Sequence, residues 1–423
     1  MRLRMELLGY KEFSANVHGR VRSQRIPTEA ILEATHRCPL ECAHCYNNLP
    51  MADREARRSE LSLQEYCRIL DELAEAGTLW LLFTGGEIFA RRDFLDIYTY
   101  AKRKGFLITL YTNGTLITPR IADYLSEWRP FSIEITIYGR TRETYERLTG
   151  VSGSYDRCLR GIELLKQRGL PLKLKTVVVT INKHEVLEMK RFAEEELGVE
   201  FKYDSLMNPR IDCSDSPLAV RLSAEEVVEF DLADPERVGA WHTLAPDLEN
   251  PVDWGDDIYH CGGGISSFAV DPEGMMSICV LSHSDVYDLR RGSVKEGWES
   301  FLSKARAKKA TRPSKCRTCQ IRASCAMCPA NGELENGHAE SPVAFLCEVT
   351  HLRTHALGLP VPPHGDCEFC EGGSRYADLL RAAEKLRARA RDERLEVTLN
   401  RYLPVVADRQ SGVPACSSCS LSN

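Results

Sequence analysis

The chain has 423 residues, of which 43% are hydrophobic and 27% charged, and its 55 basic and 61 acidic residues give a net charge of −6. This mildly acidic balance excludes a nucleic-acid-binding surface driven by bulk charge, and no apolar run reaches the roughly 20 residues of a membrane span. Residues 1–6 lack the apolar core of a secretory signal. We therefore expect a cytoplasmic protein that binds neither nucleic acid nor membrane, whose 17 cysteines are reduced and available to metal.

Short β-rich runs alternate with amphipathic helical patterns between residues 28 and 212. The predicted strands are 30–34, 79–84, 106–112, 131–138, 172–180 and 200–206. The predicted helices between them are 62–76, 92–104, 119–127, 155–168 and 183–197, and Ser62 with Glu65 forms a capping box for the first. This alternation predicts an α/β fold with a parallel sheet, and six units fall short of the eight of a closed barrel. The sequence thus predicts an open, partial (β/α)6 barrel with its chemistry at the carboxyl ends of the strands.

The remainder of the chain divides into an N-terminal segment, 1–27, and three segments after the barrel. Residues 213–260 are predicted to be a linker with one short helix near 223–230. Residues 261–350 are glycine-rich and cysteine-dense, and they predict a small domain with a β-hairpin of 267–271 and 275–280. Residues 351–423 predict a charged helix from about 375 to 394, followed by a cysteine-containing tail.

Three cysteines, Cys38, Cys42 and Cys45, follow the first predicted strand directly. Their C-x3-C-x2-C spacing puts three thiolates on one tight loop, whereas structural zinc sites and closed iron–sulfur clusters take four protein ligands. The loop is therefore either a zinc site with a distant fourth ligand or a four-iron cluster with one open iron. Its position at the mouth of a partial barrel favours the cluster.

With this loop, the chain resembles the radical S-adenosylmethionine (SAM) enzymes, and the flanking His44 and Tyr46 and the run Gly85-Gly86-Glu87 also carry the resemblance. It implies that the open iron chelates the amino and carboxylate groups of SAM. An electron from the cluster would then release methionine and a 5′-deoxyadenosyl radical, which abstracts an unactivated hydrogen. The SAM contacts that the resemblance implies are Gly85, Gly86, Glu87, His44, Asn113, Glu134 and Thr136.

Two of these implied contacts need comment. Packing beneath the loop is the alternative role for His44. The segment 136–139 reads Thr-Ile-Tyr-Gly, whereas the family usually has Ser-Leu-Asp-Gly there, so Thr136 lies in a segment that departs from the family's pattern.

A second cysteine set resembles the SPASM extension, which binds auxiliary four-iron clusters. Its spacing is C-x12-G-x4-C, then C-x2-C-x5-C-x2-C, then a final cysteine, with x2 where x3 is usual. The resemblance implies one auxiliary cluster closed by Cys316, Cys319, Cys325 and Cys347. It implies a second cluster on Cys261, Cys279 and Cys328, with an open iron or a non-cysteine fourth ligand. Two zinc ribbons are the alternative.

A third set consists of two C-x2-C pairs, formed by Cys367 with Cys370 and by Cys416 with Cys419. Four such thiolates could make a zinc site, or they could be uncoordinated. The sequence does not decide between the two.

These resemblances together imply a radical SAM enzyme with three iron–sulfur clusters that modifies a ribosomally made peptide or a protein by crosslinking or oxidation. Its partners would be that substrate and an electron donor such as flavodoxin or ferredoxin. Formylglycine formation, as in sulfatase maturation, is the alternative within the enzymes, although Val280 rather than an aspartate follows Cys279. The alternative from another class is a zinc-stabilised binding module without catalysis.

Overall fold

The computed structural model describes residues 10–250, 255–362 and 367–391. Within these residues, the strands are β1 (Glu29–Thr35), β2 (Arg37–Cys38), β3 (Leu49–Pro50), β4 (Trp80–Gly85), β5 (Leu107–Thr112), β6 (Ser132–Thr136), β7 (Leu172–Val177), β8 (Phe201–Asp204), β9 (Ser267–Val270), β10 (Met275–Ser277) and β11 (Tyr287–Asp288). All except β2 and β3 belong to one sheet, in the order β11-β10-β9-β1-β4-β5-β6-β7-β8.

The helices in the described residues are α1 (Tyr10–Gln24), α2 (Arg54–Ser59), α3 (Leu63–Glu75), α4 (Phe94–Arg103), α5 (Pro119–Glu127), α6 (Arg142–Thr149), α7 (Ser154–Gln167), α8 (Val186–Arg191), α9 (Ala224–Ala233), α10 (Pro235–His242), α11 (Ala245–Glu249), α12 (Val294–Glu296), α13 (Ser303–Arg306), α14 (Pro329–Asn336), α15 (Ala344–Ala356) and α16 (Tyr376–Arg391). None of them combines the length and the apolar composition that crossing a membrane requires.

Six strands, β1 and β4 to β8, pair in parallel with their sequence neighbours and form the predicted partial barrel. Burial along β5 alternates, with Ile108 and Leu110 buried and the residues between them half-buried. The buried side chains pack under the helices, and the half-buried ones line the inner face of the sheet. The α/β fold class predicted from the sequence is confirmed.

The predicted helices begin where local signals place them. The capping box at α3 has both arms, because the Ser62 side chain accepts from the backbone N–H of Glu65 and the Glu65 carboxylate accepts from that of Ser62. The helix predicted over 119–127 has those bounds. The helix predicted over 183–197 is interrupted, since a 3₁₀ turn precedes α8 and a π-helical turn follows it.

The predicted hairpin is present, but it does not form a separate sheet. Strands β9 and β10 pair in antiparallel fashion, and β9 also pairs in parallel with β1, Glu29 lying opposite Ser267. The cysteine-rich region therefore extends the sheet of the barrel. Strand propensity in the sequence indicates the hairpin but not the partner that it pairs with.

The short helix predicted near 223–230 is present as α9, but the segment 213–260 contains more than that one helix. Three helices, α9 to α11, lie in its described part. Ser223 and Glu226 form a capping box for α9, and Asp234 caps α10, which has proline at its first position. The capping residues of α9 and α10 can be recognised in the sequence. The prolines and tryptophans scattered through the segment interrupt the hydrophobic periodicity, so α10 and α11 were not predicted.

The chain forms two compact units. The first contains residues 1–222, 253–318 and 326–344, and hence the barrel and the hairpin. The second contains residues 223–252, 319–325 and 345–423, and hence helices α9 to α11 and, in its described part, α15 and α16. The domain boundaries predicted from the sequence stay a prediction. The predicted tail pair Cys416 and Cys419 lies outside the described residues.

We predict that Gly161→Ala destabilises the barrel. A Cβ at this position in α7 would lie 2.2 Å from the backbone oxygen of Gly114, in the turn after β5. Such overpacking costs about 1–3 kcal/mol, to be measured as the free energy of unfolding in denaturant. The matched control is Gly19→Ala in α1, where a Cβ meets no atom within 4 Å and helix propensity adds roughly 0.5–1 kcal/mol. Equal stability of the two variants would contradict the prediction.

Candidate active site

The three-cysteine loop lies between β2 and β3, directly after β1. The two short strands pair in parallel, Cys38 opposite Pro50, and so close the loop at its base. Its middle is bound to the end of α6, because the backbone N–H of Glu41 donates to Thr149 O at 2.8 Å and that of Ala43 to Leu148 O at 3.0 Å. Backbone contacts on two sides therefore hold the loop at the carboxyl edge of the parallel sheet.

The thiols of Cys38, Cys42 and Cys45 are close enough to oppose one another's ionisation. Burial, together with the charges of Glu87 and Cys45, raises the pKa of Cys38 to about 12. Burial raises the pKa of Cys42 well above its usual value, with the charges of Cys45 and Cys38 adding to the shift. Three thiolates crowded in this way need a positive group among them. This donor set fits an iron–sulfur cluster, for which thiolates are the usual ligands.

Arg210 forms hydrogen bonds to the end of the cysteine loop. One guanidinium nitrogen donates to Cys45 O at 3.1 Å and to Asn48 Oδ1 at 2.8 Å, and the other donates to Asn48 O at 3.0 Å. The Arg210 charge also acts to lower the pKa of the Cys45 thiol, which burial raises overall. Arg210 thus positions the loop and favours the thiolate, and the sequence analysis missed it because it lies 165 residues further along the chain.

Gly85 and Gly86 lie where the end of β4 presses against the segment 35–37. A Cβ on Gly85 would lie 2.2 Å from Thr35 O, and one on Gly86 would lie 2.4 Å from His36 O. Gly85 has a φ of +129°, which side chains other than glycine rarely adopt. The N–H of Gly86 donates to Thr35 O at 2.6 Å. Both glycines are therefore required because the end of β4 packs directly against residues 35–37, the backbone segment that precedes Cys38.

Glu87 and Asn113 connect this packing to the cluster loop. The buried Glu87 carboxylate accepts from the Thr112 hydroxyl at 2.7 Å and from the Asn113 N–H at 2.8 Å, and burial raises its pKa to about 7. The Asn113 side-chain amide donates to Cys38 Sγ at 3.5 Å. A chain of hydrogen bonds thus runs from the glycine-rich turn, across the end of β5, to the first cysteine of the loop.

His44 lies against Tyr138. The centroids of the two rings are 5.2 Å apart, and the Tyr138 hydroxyl acts to lower the pKa of the Cys42 thiol, which burial raises. Burial lowers the pKa of His44 to about 4, and its buried Nδ1 has no hydrogen-bond partner. A buried polar atom without a partner normally marks a ligand or water position. Tyr138 stands where the resemblance would place an aspartate. Because its ring contacts His44, the segment 136–139 packs against the cysteine loop although its sequence departs from the family's pattern.

Glu134 and Thr136 project from the half-buried face of β6. The Lys175 ammonium lies 3.3 Å from the Glu134 carboxylate and over the Tyr111 ring. Burial lowers the pKa of Lys175 to about 7 despite that carboxylate. Thr136 pairs in register with Lys175 on β7. The inner face of the sheet therefore presents an acid and a titratable amine beside the predicted SAM contacts.

Glu33, a buried residue of β1 that the sequence analysis missed, supports the loop from below. Its carboxylate accepts from the Asn47 side-chain amide at 2.7 Å and from the Tyr46 hydroxyl at 3.1 Å. Its position in the strand, within the apolar run 30–34, gave no indication in the sequence that it contacts the cysteine loop. Only the fold brings it beneath the loop.

The cysteines of the predicted second auxiliary cluster lie together in the first unit. Burial, together with the charges of Cys328 and Cys261, raises the pKa of Cys279 to about 11. An Arg306 guanidinium nitrogen lies 3.7 Å from Cys261 Sγ and donates to it. This grouping of three thiols supports the predicted ligand set.

The cysteines of the other predicted auxiliary cluster are divided between the two units. Cys316 lies in a short 3₁₀ turn of the first unit, whereas Cys319, Cys325 and Cys347 belong to the second. Within the second unit, ligand atoms of Cys347, His351 and Cys367 all lie within 4.8 Å of one another. The sequence analysis did not associate these three residues.

Comparison with known proteins identifies the first part of the chain. Residues 32–193 match the model of the Radical SAM superfamily. The matched residues include the three-cysteine loop and the strand ends around it. The resemblance of this part of the chain to the radical SAM enzymes, noted in the sequence, is therefore confirmed.

Individual relatives extend this finding. The chain is 32% identical over 168 residues to the PqqA peptide cyclase of Granulibacter bethesdensis, covering 40% of this chain and 44% of that protein. It thus spans less than half the length of the first curated relatives. It is 27% identical over 336 residues to an AdoMet-dependent heme synthase of Oleidesulfovibrio alaskensis, 74% of this chain and 85% of that protein.

Among solved structures, SuiB of Streptococcus suis bound to its precursor peptide SuiA has a similar fold. The TM-score is 0.57, with 16% identity over 82% of this chain and 83% of SuiB. At this identity the likeness shows the fold alone.

Arg210→Met is predicted to weaken the cluster loop, since the variant keeps the side-chain length but loses all three hydrogen bonds to Cys45 and Asn48. We expect iron retained after anaerobic reconstitution and gel filtration to fall about tenfold, as for other residues that orient metal ligands. The control is Arg142→Met, which removes an exposed ion pair with Asp156. Full iron retention in the Arg210 variant would show that the loop does not depend on this residue.

The lowered pKa of Lys175 predicts a specific dependence of stability on pH. Between about pH 7 and 10.5 the unfolded chain binds a proton at this lysine and the folded protein does not, so this group makes stability rise with pH. The stability of wild type relative to Lys175→Met should therefore increase from about pH 7.5 to 9.5 in anaerobic urea denaturation. The control is Lys173→Met, which changes a lysine of the same strand, β7, that pairs with Glu200. A constant difference between wild type and Lys175→Met would refute the shifted pKa.

Proposed function

We propose that the protein is a radical SAM enzyme that abstracts hydrogen from a ribosomally made peptide, leading to a crosslink or an oxidation. The observation that carries this proposal is the three-cysteine loop, held at the carboxyl edge of a parallel sheet within a radical SAM domain. The loop has three thiols, of which that of Cys38 is buried and those of Cys42 and Cys45 are half-buried. Because the loop has no fourth cysteine, one coordination position is left for a ligand from outside the chain.

In this proposal Cys38, Cys42 and Cys45 hold a four-iron cluster. With SAM bound, that cluster would supply the electron that cleaves the sulfonium bond and yields the 5′-deoxyadenosyl radical. Arg210 and Asn113 position the loop through the hydrogen bonds described above. The buried setting of the thiols limits access of water to the cluster.

The chain's own residues would bind SAM around this loop. The backbone at Gly85 and Gly86 runs close to the segment that leads to Cys38 and leaves no side chain in the way. His44 offers its unpartnered Nδ1, and Thr136 its hydroxyl, for contacts to SAM. Glu87, whose carboxylate is engaged by Thr112 and Asn113, would act chiefly by positioning the turn.

The inner face of the sheet would receive the substrate. Glu134 can accept and Lys175 can donate a hydrogen bond, and both side chains are half-buried rather than fully enclosed. Such a pair can orient the polar backbone of a peptide. A lysine with a pKa near 7 can also accept the proton released when a crosslink or an oxidation is completed.

An auxiliary cluster on Cys261, Cys279 and Cys328 would accept the electron left on the substrate after hydrogen abstraction. The charges of Cys328 and Cys261, which contribute to the raised pKa of Cys279, support their joint role. A further auxiliary cluster on Cys316, Cys319 and Cys325 with Cys347 stays a prediction. An external donor such as flavodoxin or ferredoxin would supply the first electron.

A peptide is favoured as the substrate by two comparisons. One similar protein is a PqqA peptide cyclase, and another, SuiB, has been solved with its precursor peptide. Formylglycine formation is less favoured, since Val280 follows Cys279. A second candidate is chemistry on a tetrapyrrole, because the alignment with the AdoMet-dependent heme synthase covers 74% of this chain.

Cleavage of SAM tests the core of the proposal. Under dithionite, the reconstituted wild-type protein should form 5′-deoxyadenosine, measured by chromatography, whereas Cys42→Ala should form none. The control is Cys67→Ala, which changes a helix cysteine of α3 outside the loop and should leave both iron content and product unchanged. Equal product from the Cys42 variant, or none from wild type, would refute the assignment.

Mass spectrometry of co-expressed peptides tests whether the substrate is a peptide. Co-expression with short peptides encoded beside the gene should give a peptide whose mass falls by about 2 Da for a crosslink that loses two hydrogens. A change in an iron porphyrin, with no change in any peptide, would favour the second candidate.

A further inference from the structure

We propose that Cys347, His351, Cys367 and Cys370 form a closed site for a single zinc ion in the second unit. This inference does not rest on the SAM chemistry of the proposed function, because none of the four residues lies within residues 32–193. It gives Cys367 and Cys370 a role that the sequence left open, and it assigns Cys347 differently from the resemblance to SPASM proteins.

Two elements bring the ligands together. Cys347 and His351 lie four residues apart on α15, so their side chains lie on one face of the helix. Cys367 and Cys370 form a C-x2-C turn, in which the N–H of Cys370 donates to Cys367 O at 3.2 Å. A helix that supplies two ligands and a C-x2-C turn that supplies two more are typical of structural zinc sites.

The spacing of the ligand atoms fits one ion. Atoms of Cys347, His351 and Cys367 lie within 4.8 Å of one another. Zinc–sulfur bonds of about 2.3 Å in a tetrahedron separate the ligand atoms by roughly 3.7 Å. A four-iron cluster binds each thiolate at a different corner of a cube and would hold the sulfurs further apart. The compact spacing of these three residues therefore favours a single ion, and Cys370, which is not part of that group, approaches it through His351 Nε2 at 3.5 Å.

The orientation of the imidazole supports the same reading. Nδ1 of His351 lies 2.7 Å from the carbonyl oxygen of Cys347, to which it can only donate, so Nε2 carries the lone pair. Nε2 lies 3.4 Å from Cys367 Sγ and 3.5 Å from Cys370 Sγ. A backbone carbonyl that fixes the tautomer of a histidine, with its other nitrogen aimed at two thiols, is the usual arrangement around bound zinc.

Three of the four ligands are buried and the fourth, Cys347, is half-buried. His351 is 1% exposed, Cys370 6% and Cys367 9%, and the Phe369 ring packs 5.4 Å from the imidazole. An enclosed site with four protein ligands and no open position is structural rather than catalytic. Its effect would be to join α15 to the segment that precedes α16, and so to stabilise the second unit.

The experiment measures zinc and iron in the full-length protein by mass spectrometry, after anaerobic purification in medium supplied with both metals. Wild type should contain about one zinc ion per chain. Cys367→Ser with Cys370→Ser, and separately Cys347→Ser, should lose the zinc and keep the iron content of wild type. Cys67→Ser in α3 is the control and should keep both metals.

Cys347→Ser separates the two assignments of this residue. If it loses iron and keeps zinc, Cys347 belongs to an auxiliary cluster and the proposal is overturned. Absence of zinc from wild type overturns it as well. Because a variant can fail to fold, zinc-edge X-ray absorption of wild type provides a second readout. It should show three sulfurs at about 2.3 Å and one nitrogen at about 2.0 Å, and a shell of oxygen and nitrogen alone would refute the site.

Discussion

The close approach of two backbone segments at the carboxyl edge of the sheet is the constraint on which the rest of the site depends. Gly85 and Gly86 contact residues 35–37 so closely that no side chain fits between them. That contact fixes where β1 ends and hence where Cys38 begins the metal-binding loop. The same glycines that the resemblance assigns to SAM binding are therefore required by the fold itself.

Hydrogen bonds transmit this constraint around the site. Glu87 joins the glycine-rich turn to the end of β5, and Asn113 carries the connection to Cys38. Glu33 on β1 and Arg210 in the segment after β8 hold the other side of the loop. The loop itself contains no regular structure beyond its two-residue strands, so its geometry comes from these neighbours. A ligand loop held in this way is preorganised for its cluster.

Much of this could be predicted from the sequence because it depends on local patterns. The six parallel strands follow from alternating strand and helix patterns. The start of α3 follows from the capping box at Ser62. The cysteine loop was recognisable by its spacing alone. The contributions of Arg210 and Glu33 could not be predicted, since each acts on residues distant in sequence and neither belongs to a motif. The pairing of β9 with β1 was missed for the same reason.

The second unit shows the limit of reading metal sites from spacing. The family pattern assigns Cys347 to an auxiliary cluster, whereas in the structure it lies beside His351 and Cys367. A histidine one helical turn away from a cysteine carries no signal by itself. The C-x2-C pair of Cys367 and Cys370 gained an interpretation only when the fold placed it against that helix.

The central claim is that the cluster on Cys38, Cys42 and Cys45 has an open iron that binds SAM. Electron paramagnetic resonance of the dithionite-reduced protein, recorded with and without SAM, tests it most directly. We predict that SAM changes the signal of one cluster, and that the change is absent in Cys42→Ala. Identical spectra of the wild-type protein with and without SAM would contradict the account, because no iron would then be open to the cofactor.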